Sequence, residues 1–402
     1  MKLFLIILFL FQIFFLVSND NDNLITANFF SHHIHEGDLD NLPFKEIPFH
    51  SIRLWDADVR WNQIEPVKGI YIFDRLDDYV SKANSKNIDI IMTLGMSTDW
   101  SAKRKWEKSL YGKEVKPSEP ENIDDWRNYV KTLGTRYKGK IKYWEIWNEP
   151  DFPFFYSGSI PMMVKLTKEA NEILKSIDPE NKIISPSVSG WKGWFGGLIW
   201  LDLFLKFGGK KYIDIIGFHL YTGKIYKPEN MVSYINLVKQ IRDNNCLSHL
   251  PIWNTETNYH YKNISKKEAI SHIAKIYLIN LYCGIERVFW YSWGFGNDLG
   301  GMVYKDTKEL TYEGEAYYNL SKWLVNKQVV KWEIKNNIRI CQLKNNDKFE
   351  YIIWKDSNST FKYKIPKSWD VNTMVDLFGN KTTIDKNIGS IEINKIPLLL
   401  IN

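Results

Sequence analysis

The sequence predicts an α/β protein, a (β/α)₈ TIM barrel followed by a small C-terminal β-sandwich. Strand-like and helix-like segments alternate eight times between Leu24 and about Phe295. These units occupy about 270 residues, which is close to the usual size of such a barrel. After Trp323 the pattern changes to short strands separated by turn residues. We therefore expect a barrel over residues 20–324 and a β-sandwich over residues 325–402.

The eight barrel strands are predicted from short runs of β-branched and aromatic residues bounded by turn signals. In chain order they cover residues 25–34, 51–57, 89–94, 142–147, 182–187, 213–220, 251–256 and 287–293. Apolar residues recur at helical spacing between them, in residues 73–85, 123–137, 162–177, 200–207, 231–243 and 266–282. A doubly wound sheet is the alternative. It ordinarily carries a glycine-rich phosphate turn after its first strand, and residues 32–36 read HHIHE instead.

The C-terminal part has the pattern of an antiparallel β-domain. Its strand-like runs cover residues 338–343, 349–354, 360–365, 373–376 and 390–394, with clusters of Asn, Asp, Ser and Gly between most of them. No low-complexity linker separates these runs from the barrel. We therefore expect the β-domain to dock rigidly on the barrel.

The N-terminus has the pattern of an export signal. Met1 and Lys2 precede an apolar run over residues 3–17 that only Gln12 interrupts, and polar residues 18–22 follow. This run is shorter than the roughly 18 to 20 residues that a membrane span needs, so an uncleaved anchor is the less favoured alternative. We expect residues 1–19 to be removed and the protein to be secreted, with no membrane contact afterwards.

Composition and charge exclude several classes of function. The formal net charge of the 402 residues is +6, and the lysines are mixed with acidic residues rather than gathered into a stripe, so we expect no nucleic-acid partner. Cys246, Cys283 and Cys341 are too few for a disulfide framework, and nothing near them suggests a nucleophile or a zinc site. We expect neither a cofactor nor a metal.

The fourth predicted strand ends in the most informative motif of the chain, Asn148-Glu149-Pro150. Strand alternation predicts that Glu149 lies on one face with Glu145, and Asn148 on the other. Glu149 stands at the carboxyl end of its strand, where the loops of parallel α/β proteins build active sites. We interpret it as a catalytic candidate, with a solvated loop carboxylate as the alternative.

The seventh strand ends in a second carboxylate, Glu256, within Trp-Asn-Thr-Glu-Thr. Strands four and seven lie nearly opposite each other in an eight-stranded barrel, so Glu149 and Glu256 can face each other across its mouth. Glycosidic hydrolysis needs such a pair: one group protonates the leaving oxygen, and the other attacks the sugar or activates water. A separation of roughly 5 Å indicates retention of configuration, and 6.5 to 9.5 Å indicates inversion.

These motifs resemble those of the retaining glycoside hydrolases of clan A, over about residues 25–295. The segments Arg-Leu-Trp-Asp from Arg53, Trp-Asn-Gln-Ile-Glu-Pro from Trp61 and Gly-Ile-Tyr-Ile-Phe-Asp from Gly69 are most similar to the β-xylosidase and α-L-iduronidase family, glycoside hydrolase family 39, and its bacterial endo-glycosidase relatives. The resemblance implies a hydrolase of O-glycosyl compounds that acts on a poly- or oligosaccharide by double displacement.

The resemblance also implies a role for each matching residue. Glu149 corresponds to the acid/base and Glu256 to the nucleophile. The expected substrate-binding residues are Asn148 at the sugar 2-hydroxyl, Arg53 beside the nucleophile, His219 and Tyr221 on strand six, and Trp293 or Trp290 beneath the sugar. Because a cation favours a charged carboxylate, Glu256 should stay ionised beside Arg53, whereas the walled pocket should raise the pKa of Glu149.

Other tryptophans could be platforms on which sugar rings stack, although most tryptophans are partly buried core residues. We expect this role for Trp100 and Trp191 besides Trp293. Two alternatives to a glycosidase stay open. A carbohydrate-binding barrel without turnover would not need both Glu149 and Glu256. A metal-dependent amidohydrolase would use a His-Ile-His pair such as that at His33, but it would want a histidine on strand five, which reads Ile-Ile-Ser-Pro-Ser-Val.

Overall fold

The computed structural model describes residues 24–35, 49–191, 195–259, 265–294, 300–304, 307, 309–385 and 387–402. The predicted signal peptide lies outside these residues, so cleavage and secretion stay predictions. Among the helices described, none is long and apolar enough to cross a membrane.

The described residues up to Trp290 contain ten strands. They are β1 (Phe30–Ile34), β2 (Ser51–Leu54), β3 (Asp89–Leu94), β4 (Ser97–Thr98), β5 (Val115–Lys116), β6 (Tyr143–Ile146), β7 (Lys182–Ile184), β8 (Ile216–His219), β9 (Ile252–Thr257) and β10 (Arg287–Trp290). β4 and β5 form a short antiparallel pair in the loop after β3. The other eight strands form one parallel sheet in the order β7-β6-β3-β2-β1-β10-β9-β8.

The two edges of this sheet meet, so that it closes into a barrel. Isolated parallel bridges join Ile184 to Ile215 and Val188 to Phe218, and the His219 amide donates to the carbonyl of Val188 at 2.9 Å. The predicted TIM barrel is therefore confirmed. Its fourth strand is β6 and its seventh is β9, so the two candidate carboxylates lie at the carboxyl ends of these strands.

Helices follow the barrel strands, as the periodicity predicts. They are α1 (Trp61–Ile64), α2 (Asp74–Asn84), α3 (Ile123–Arg136), α4 (Ile160–Ile177), α5 (Gly196–Lys206), α6 (Met231–Asn244), α7 (Lys266–Tyr282) and α8 (Tyr312–Leu324). Short 3₁₀ turns occupy Ala27–Phe29, Gly209–Lys211 and Pro228–Asn230. Asn122, Ser159, Ser265 and Thr311 cap helices with side-chain oxygens that accept from backbone amides, which explains where α3, α4, α7 and α8 begin.

The barrel interior is apolar at one level and charged at another. Ile91, Ile184, Ile215, Trp253 and Phe289 form a separate buried cluster inside the barrel. The charged side chains described below lie nearer the carboxyl ends of the strands. At the amino ends of the strands, Arg287 covers this cluster by stacking on Trp253 and pairing with Asp89, and the carboxyl ends are left for chemistry.

The C-terminal part is a β-structure, as expected. It contains β11 (Gln328–Lys335), β12 (Ile338–Asn345), β13 (Lys348–Lys355), β14 (Phe361–Lys364), β15 (Thr373–Val375), β16 (Lys381–Thr383), β17 (Ser390–Ile393) and β18 (Leu398–Ile401). Six of them form a sheet in the order β11-β12-β13-β18-β15-β16, and β14 pairs with β17. A buried cluster that includes Ile353, Ile391 and Ile393 packs between the two sheets.

The sequence analysis missed three strands of the β-domain, β11, β16 and β18. β16 has three exposed polar residues and no pattern. β11 alternates Val330, Trp332 and Ile334 with charged residues, and β18 is a run of four apolar residues, so local signals for these two strands were present. Predicted strands were also too long at their ends. The first strand begins at Phe30 rather than Ile25, because Ala27–Phe29 forms a 3₁₀ turn.

Candidate active site

Arg53 of β2 is the centre of a buried charge network at the carboxyl end of the barrel. Its side chain is fully buried and donates through three nitrogens: Nε to Glu145 at 2.7 Å, Nη1 to Glu256 at 2.8 Å and Nη2 to the Asn148 side-chain oxygen at 2.7 Å. Burial lowers the pKa of Arg53, but the charges of Glu145 and Glu256 outweigh it and raise that pKa above its usual value. Arg53 therefore ties strands two, four and seven together.

Glu145 is a third carboxylate at this level, and sequence reasoning did not single it out. It is fully buried, and besides Arg53 it accepts from the Thr93 hydroxyl at 2.6 Å and the Ser187 hydroxyl at 2.5 Å. Burial acts to raise its pKa, but Arg53, His219 and the two hydroxyl donors together hold that pKa below its usual value. Glu145 therefore stays ionised as the fixed counter-ion of Arg53.

The end of β6 does not continue the strand alternation, which corrects one prediction. Trp147 and Glu149 have positive φ angles of 65° and 43°, so the chain turns sharply after Ile146. Asn148 consequently faces the barrel interior with Glu145, where Arg53 contacts both, instead of lying on the opposite face. The Trp147 side chain points away from this network, and its ring nitrogen donates to the carbonyl of Phe155 at 2.8 Å.

Glu149 and Glu256 face each other with His219 between them. His219 Nδ1 lies 2.9 Å from a Glu149 oxygen and 3.8 Å from a Glu256 oxygen. One ligand atom from each of the three residues lies within 4.8 Å of the other two. The ends of strands four, six and seven therefore converge on one pocket, as predicted.

The two carboxylates have different surroundings. Burial, followed by repulsion from Asp151, raises the pKa of Glu149 to about 8. Glu256 accepts from Arg53 and, through its other oxygen, from the Tyr221 hydroxyl at 2.6 Å. Burial raises the pKa of Glu256 as well, against the opposing effects of His219, Arg53 and Tyr221. Desolvation therefore outweighs the effect of Arg53 on the pKa of Glu256, and the sequence-based expectation did not include desolvation.

His219 is fully buried, and burial lowers its pKa, which favours the neutral imidazole. Its Nε2 atom is buried with no hydrogen-bond partner in the described part of the chain. The Nδ1 atom can therefore accept a hydrogen bond from a protonated Glu149 or donate one to an ionised Glu149. His219 orients the carboxyl group of Glu149 in either state.

Two further residues near Arg53, His33 and Tyr291, were missed as site residues. His33 Nδ1 lies 3.1 Å from Arg53 Nη1 and must accept, because a guanidinium only donates. The Tyr291 hydroxyl donates to Asp56 at 3.0 Å, and the Tyr291 ring lies 4.6 Å from that of His33. Both His33 and Tyr291 come from strand ends, and position at a strand end was the signal that could have identified them.

His33, His35 and Asp56 have donor atoms within 4.8 Å of one another, the spacing of a metal site. Their surroundings do not favour a cation. Arg53 donates to His33, and Arg60 pairs with Asp56 at 3.1 Å, so two guanidinium charges adjoin the group. The fifth strand also continues into serines, as the sequence indicated. The amidohydrolase alternative therefore lacks a suitable ligand set among these residues.

Of the three predicted sugar platforms, only Trp191 lies next to this site. Its side chain is 43% exposed, and its ring centre lies 5.1 Å from that of Tyr221. Trp100 is half-buried against Trp61, and its ring nitrogen donates to the carbonyl of Glu65 at 3.0 Å. Among the described residues, no hydrogen bond or ring contact connects Trp100 with the carboxylate pair.

Trp293 is a correction to the predicted site. Its side chain is fully buried and packs against His32 and Phe49 at ring-centre distances of 4.8 and 5.3 Å. Trp290, the alternative, is also fully buried and donates to the carbonyl of Gly300. Neither indole has a surface on which a sugar could stack, because β10 ends at Trp290 and the chain then turns so that Tyr291 faces the site.

Comparison with known proteins identifies the family of this chain. The family model described as the glycosyl hydrolase catalytic core matches residues 99–317, more than half of the chain. The chain belongs to this glycosyl hydrolase family. The matched segment of this glycosyl hydrolase includes both Glu149 and Glu256.

A β-xylosidase from Geobacillus stearothermophilus is 21% identical to this glycosyl hydrolase in an alignment of 254 positions that covers 56% of this chain and 49% of the relative. The chain therefore spans about half the length of the curated relative that it matches. The predicted resemblance to the β-xylosidase family and its clan is confirmed by these matches.

Two solved structures illustrate the shared fold. A family 39 glycoside hydrolase from Bacteroides cellulosilyticus WH2 is 18% identical, with a TM-score of 0.75 over 94% of this chain and 81% of that one. A family 39 β-xylosidase from Caulobacter crescentus is 13% identical, with a TM-score of 0.69 over 94% and 96% of the two chains. At such low identity these likenesses establish the barrel fold of the glycosyl hydrolase.

Proposed function

We propose that this chain is a secreted glycosidase that hydrolyses O-glycosidic bonds with retention of configuration, with Glu149 as acid/base and Glu256 as nucleophile. The observation that carries the proposal is the short distance between the two carboxylates. Their nearest oxygens lie within 4.8 Å of each other. Retaining enzymes place these groups about 5 to 5.5 Å apart, whereas inverting enzymes leave room for a water molecule between them.

In the first step, Glu149 donates its proton to the leaving-group oxygen while a Glu256 oxygen attacks the anomeric carbon. The bond from that carbon to the leaving oxygen breaks, and an ester bond to Glu256 forms. A pKa of about 8 keeps Glu149 protonated at neutral pH, as this step requires. Arg53 and Tyr221 each hold one oxygen of Glu256 and thereby fix the direction of attack.

In the second step, a water molecule attacks the anomeric carbon and Glu149 accepts its proton. The ester bond breaks, and Glu256 leaves as a carboxylate. Ester formation removes the negative charge of Glu256, so the positive charge of Arg53 is less compensated and lowers the pKa of Glu149. The same residue can therefore act first as an acid and then as a base.

The surrounding side chains suggest how a sugar is held. The oxygen of the Asn148 amide already accepts from Arg53, which leaves its nitrogen to donate to a sugar hydroxyl. Trp191, beside Tyr221, offers an exposed ring for stacking. The similar proteins named above include β-xylosidases, so β-xylosides are the first substrates to test.

We retain the proposed division into a barrel over residues 20–324 and a β-domain over residues 325–402.

The test is mass spectrometry of the protein after incubation with a panel of 2-fluoro glycosides, followed by peptide mapping. We expect one covalent adduct, on the peptide that contains Glu256, and the sugar that reacts identifies the substrate class. Glu256→Gln should form no adduct. Glu149→Gln should still form it with a dinitrophenyl leaving group, which needs no protonation, but should hydrolyse ordinary glycosides orders of magnitude more slowly.

The matched control is Glu169→Gln, which removes a partly exposed carboxylate paired with Arg127 and should leave adduct formation unchanged. An adduct on another residue would overturn the assignment of Glu256. Sugar binding without adduct or turnover, across a broad panel, would favour the carbohydrate-binding barrel. Turnover that a chelator abolishes would favour the metal-dependent alternative.

A further inference from the structure

Apolar side chains project into solvent from three of the loops that surround the barrel mouth. They are Trp106 and Leu110 after β3, Phe152 and Phe154 after β6, and Ile225 after β8, and we call these five residues the rim. Trp106 is 76% exposed, Leu110 62% and Ile225 94%. Large apolar side chains that are grouped and this exposed mark interaction surfaces, whereas single ones do not.

The loops that carry the rim are fastened to one another. Arg104 donates to the Ser157 hydroxyl at 2.8 Å, and the Ser157 amide donates to the carbonyl of Pro117 at 2.9 Å, which joins the loops after β3 and β6. The Asp151 carboxylate accepts from the amide and hydroxyl of Ser189 at 2.8 and 2.6 Å. These bonds continue the connection to the loop after β7.

Contacts with the loop after β8 complete the connection. The Tyr221 amide donates to the carbonyl of Gly190 at 3.4 Å, and the Tyr221 ring lies beside Trp191. The loops that carry the rim therefore form one connected sector of the mouth.

Two of these loops carry clusters of basic residues, whereas the loop after β6, over residues 147–159, contains Glu149 and Asp151 and no lysine or arginine. Residues 103–113 contain five lysines and arginines but only one acidic residue, Glu107, and lysines flank Ile225 at positions 224 and 227. Part of this charge is neutralised, because Arg104 pairs with Glu107 and Glu119. Four exposed lysines have no ion-pair partner among the residues described here: Lys105, Lys108, Lys224 and Lys227.

From these observations we propose that the rim docks the protein on an anionic lipid surface. Exposed aromatic and aliphatic tips insert at the boundary between headgroups and acyl chains, and adjacent lysines attract anionic headgroups. Because the strands end on the same side, docking turns the mouth that contains Glu149 and Glu256 toward the surface. The sequence alone led us to expect no membrane contact, since it does not reveal that these segments are neighbours.

A polysaccharide is a less suitable occupant for the rim. Sugar rings stack on flat aromatic faces that have hydrogen-bonding groups beside them, and the branched tips of Leu110 and Ile225 offer neither. A neutral glycan also has no negative charge to pair with the four lysines that lack an ion-pair partner among the described residues. The inference concerns binding alone and does not depend on the proposed glycosidase activity.

The test is flotation of the exported protein with vesicles of phosphatidylcholine, with or without about one third phosphatidylglycerol. We expect binding to the anionic vesicles that weakens as salt increases. Trp106→Ser combined with Ile225→Ser should reduce partitioning at least tenfold. Lys105→Gln combined with Lys108→Gln should reduce it about fivefold per lysine at low salt.

Matched controls lie on the C-terminal β-domain. Ile388→Ser removes an aliphatic side chain that is 60% exposed, and Lys362→Gln removes an exposed lysine, so both variants should bind like the unaltered protein. Hydrolysis of a small soluble glycoside, measured in parallel, should be the same in every rim variant. This readout separates failure of the docking proposal from failure of the proposed activity.

Three results would overturn the proposal. The protein could fail to bind either kind of vesicle. It could bind equally well with and without the rim substitutions, which would assign binding to another part of the chain, such as the N-terminal apolar run. It could also bind an insoluble polysaccharide in a manner that depends on Trp106 and Ile225 while ignoring vesicles, which would make the rim a glycan platform.

Discussion

Arg53 joins the proposed nucleophile to two other side chains of the site. It donates to Glu256, to Asn148 and to Glu145. Of these three, Glu145 has no proposed role in contacting the sugar, and its other hydrogen-bond partners in the described part of the chain are Thr93 and Ser187. Removing one member of a buried ion pair leaves an uncompensated charge, and the remaining group then moves or changes its pKa. Glu145 should consequently act as a positioning residue through Arg53.

The pH dependence of activity should follow Glu149. The first step needs the protonated acid, and burial with repulsion from Asp151 raises the pKa of Glu149 to about 8. We expect kcat/KM to be lost as the pH rises through about 8, and to be retained below it until Glu256 is protonated. A pH profile of kcat/KM on a β-xyloside or another reactive glycoside measures this. An alkaline limb near pH 5 would contradict the assignment.

Replacement of Glu145 by Gln should shift that profile. The negative charge of Glu145 contributes to the raised pKa of Glu149, so its removal moves the alkaline limb to lower pH. Arg53 also loses its counter-ion, and we expect kcat to fall at least tenfold with a smaller change in KM. Glu169→Gln is the control, because its partner Arg127 is far from the site. A lower kcat without a pH shift would indicate a structural role only.

The strand ends decide which side chains enter the pocket. The turn after β6 has two residues with positive φ, Trp147 and Glu149, each an arrangement that costs roughly 1 to 3 kcal/mol. The Trp147 ring packs against Tyr156 at a ring-centre distance of 5.1 Å, and the Glu149 amide donates to Ser187 at 3.0 Å. These contacts hold the turn that directs Asn148 and Glu149 into the mouth.

Gly95→Ala tests this arrangement. Gly95 follows β3 with a φ of 130°, and a Cβ atom there would lie 2.9 Å from the Trp147 ring. We expect the free energy of unfolding to fall by about 2 to 4 kcal/mol and kcat/KM to fall with it, since the ring supports the turn. Urea unfolding and kinetics measure the two effects.

Gly112→Ala is the control for this variant. Gly112 also has a positive φ, 92°, but no atom lies within 4 Å of its added Cβ. This variant should lose only the free energy that a positive φ costs an alanine, without a steric contribution, and it should keep its activity. If the two variants lost the same stability and both kept activity, the contact with Trp147 would have no part in forming the site.

The barrel and the C-terminal β-domain are joined by a buried charge cluster. Lys275 of α7 is nearly buried and pairs with Glu229 of the barrel and, at 3.6 Å, with Asp356 of the β-domain. Burial acts to raise the pKa of Glu229. The charge of Lys275, together with hydrogen bonds from Asp356 and Lys275, lowers that pKa below its usual value. Arg339 donates to Asp356 at 2.8 Å and completes the cluster.

Lys275→Met should destabilise the protein as a unit. It leaves Glu229 without its cation in a nearly buried position, for which we expect a loss of about 3 to 5 kcal/mol in the free energy of unfolding. Urea denaturation followed by tryptophan fluorescence measures it. The control, Lys168→Met, removes an exposed partner of Glu172 and should change stability by about 0.5 kcal/mol or less. Equal effects of the two variants would show that the cluster does not join the domains.

Much of this architecture could be predicted from local sequence. Buried parallel strands need continuous β-branched and aromatic runs, and the helices between them need an apolar stripe, so eight such units mark a barrel. The rules of parallel α/β folds then place the carboxyl ends of all strands on one side. From this it followed that Glu149 and Glu256 are partners, although they are distant in sequence.

Tertiary structure alone decided how each side chain is used. Trp293 and Trp191 have equal prospects as sugar platforms in sequence, yet the first is in the core and the second in solvent, because burial depends on what packs from other strands. Glu145 resembles any strand glutamate until Arg53 approaches it from β2. Backbone turns with positive φ, desolvation and contacts between distant residues all arise from the folded arrangement, and no local pattern records them.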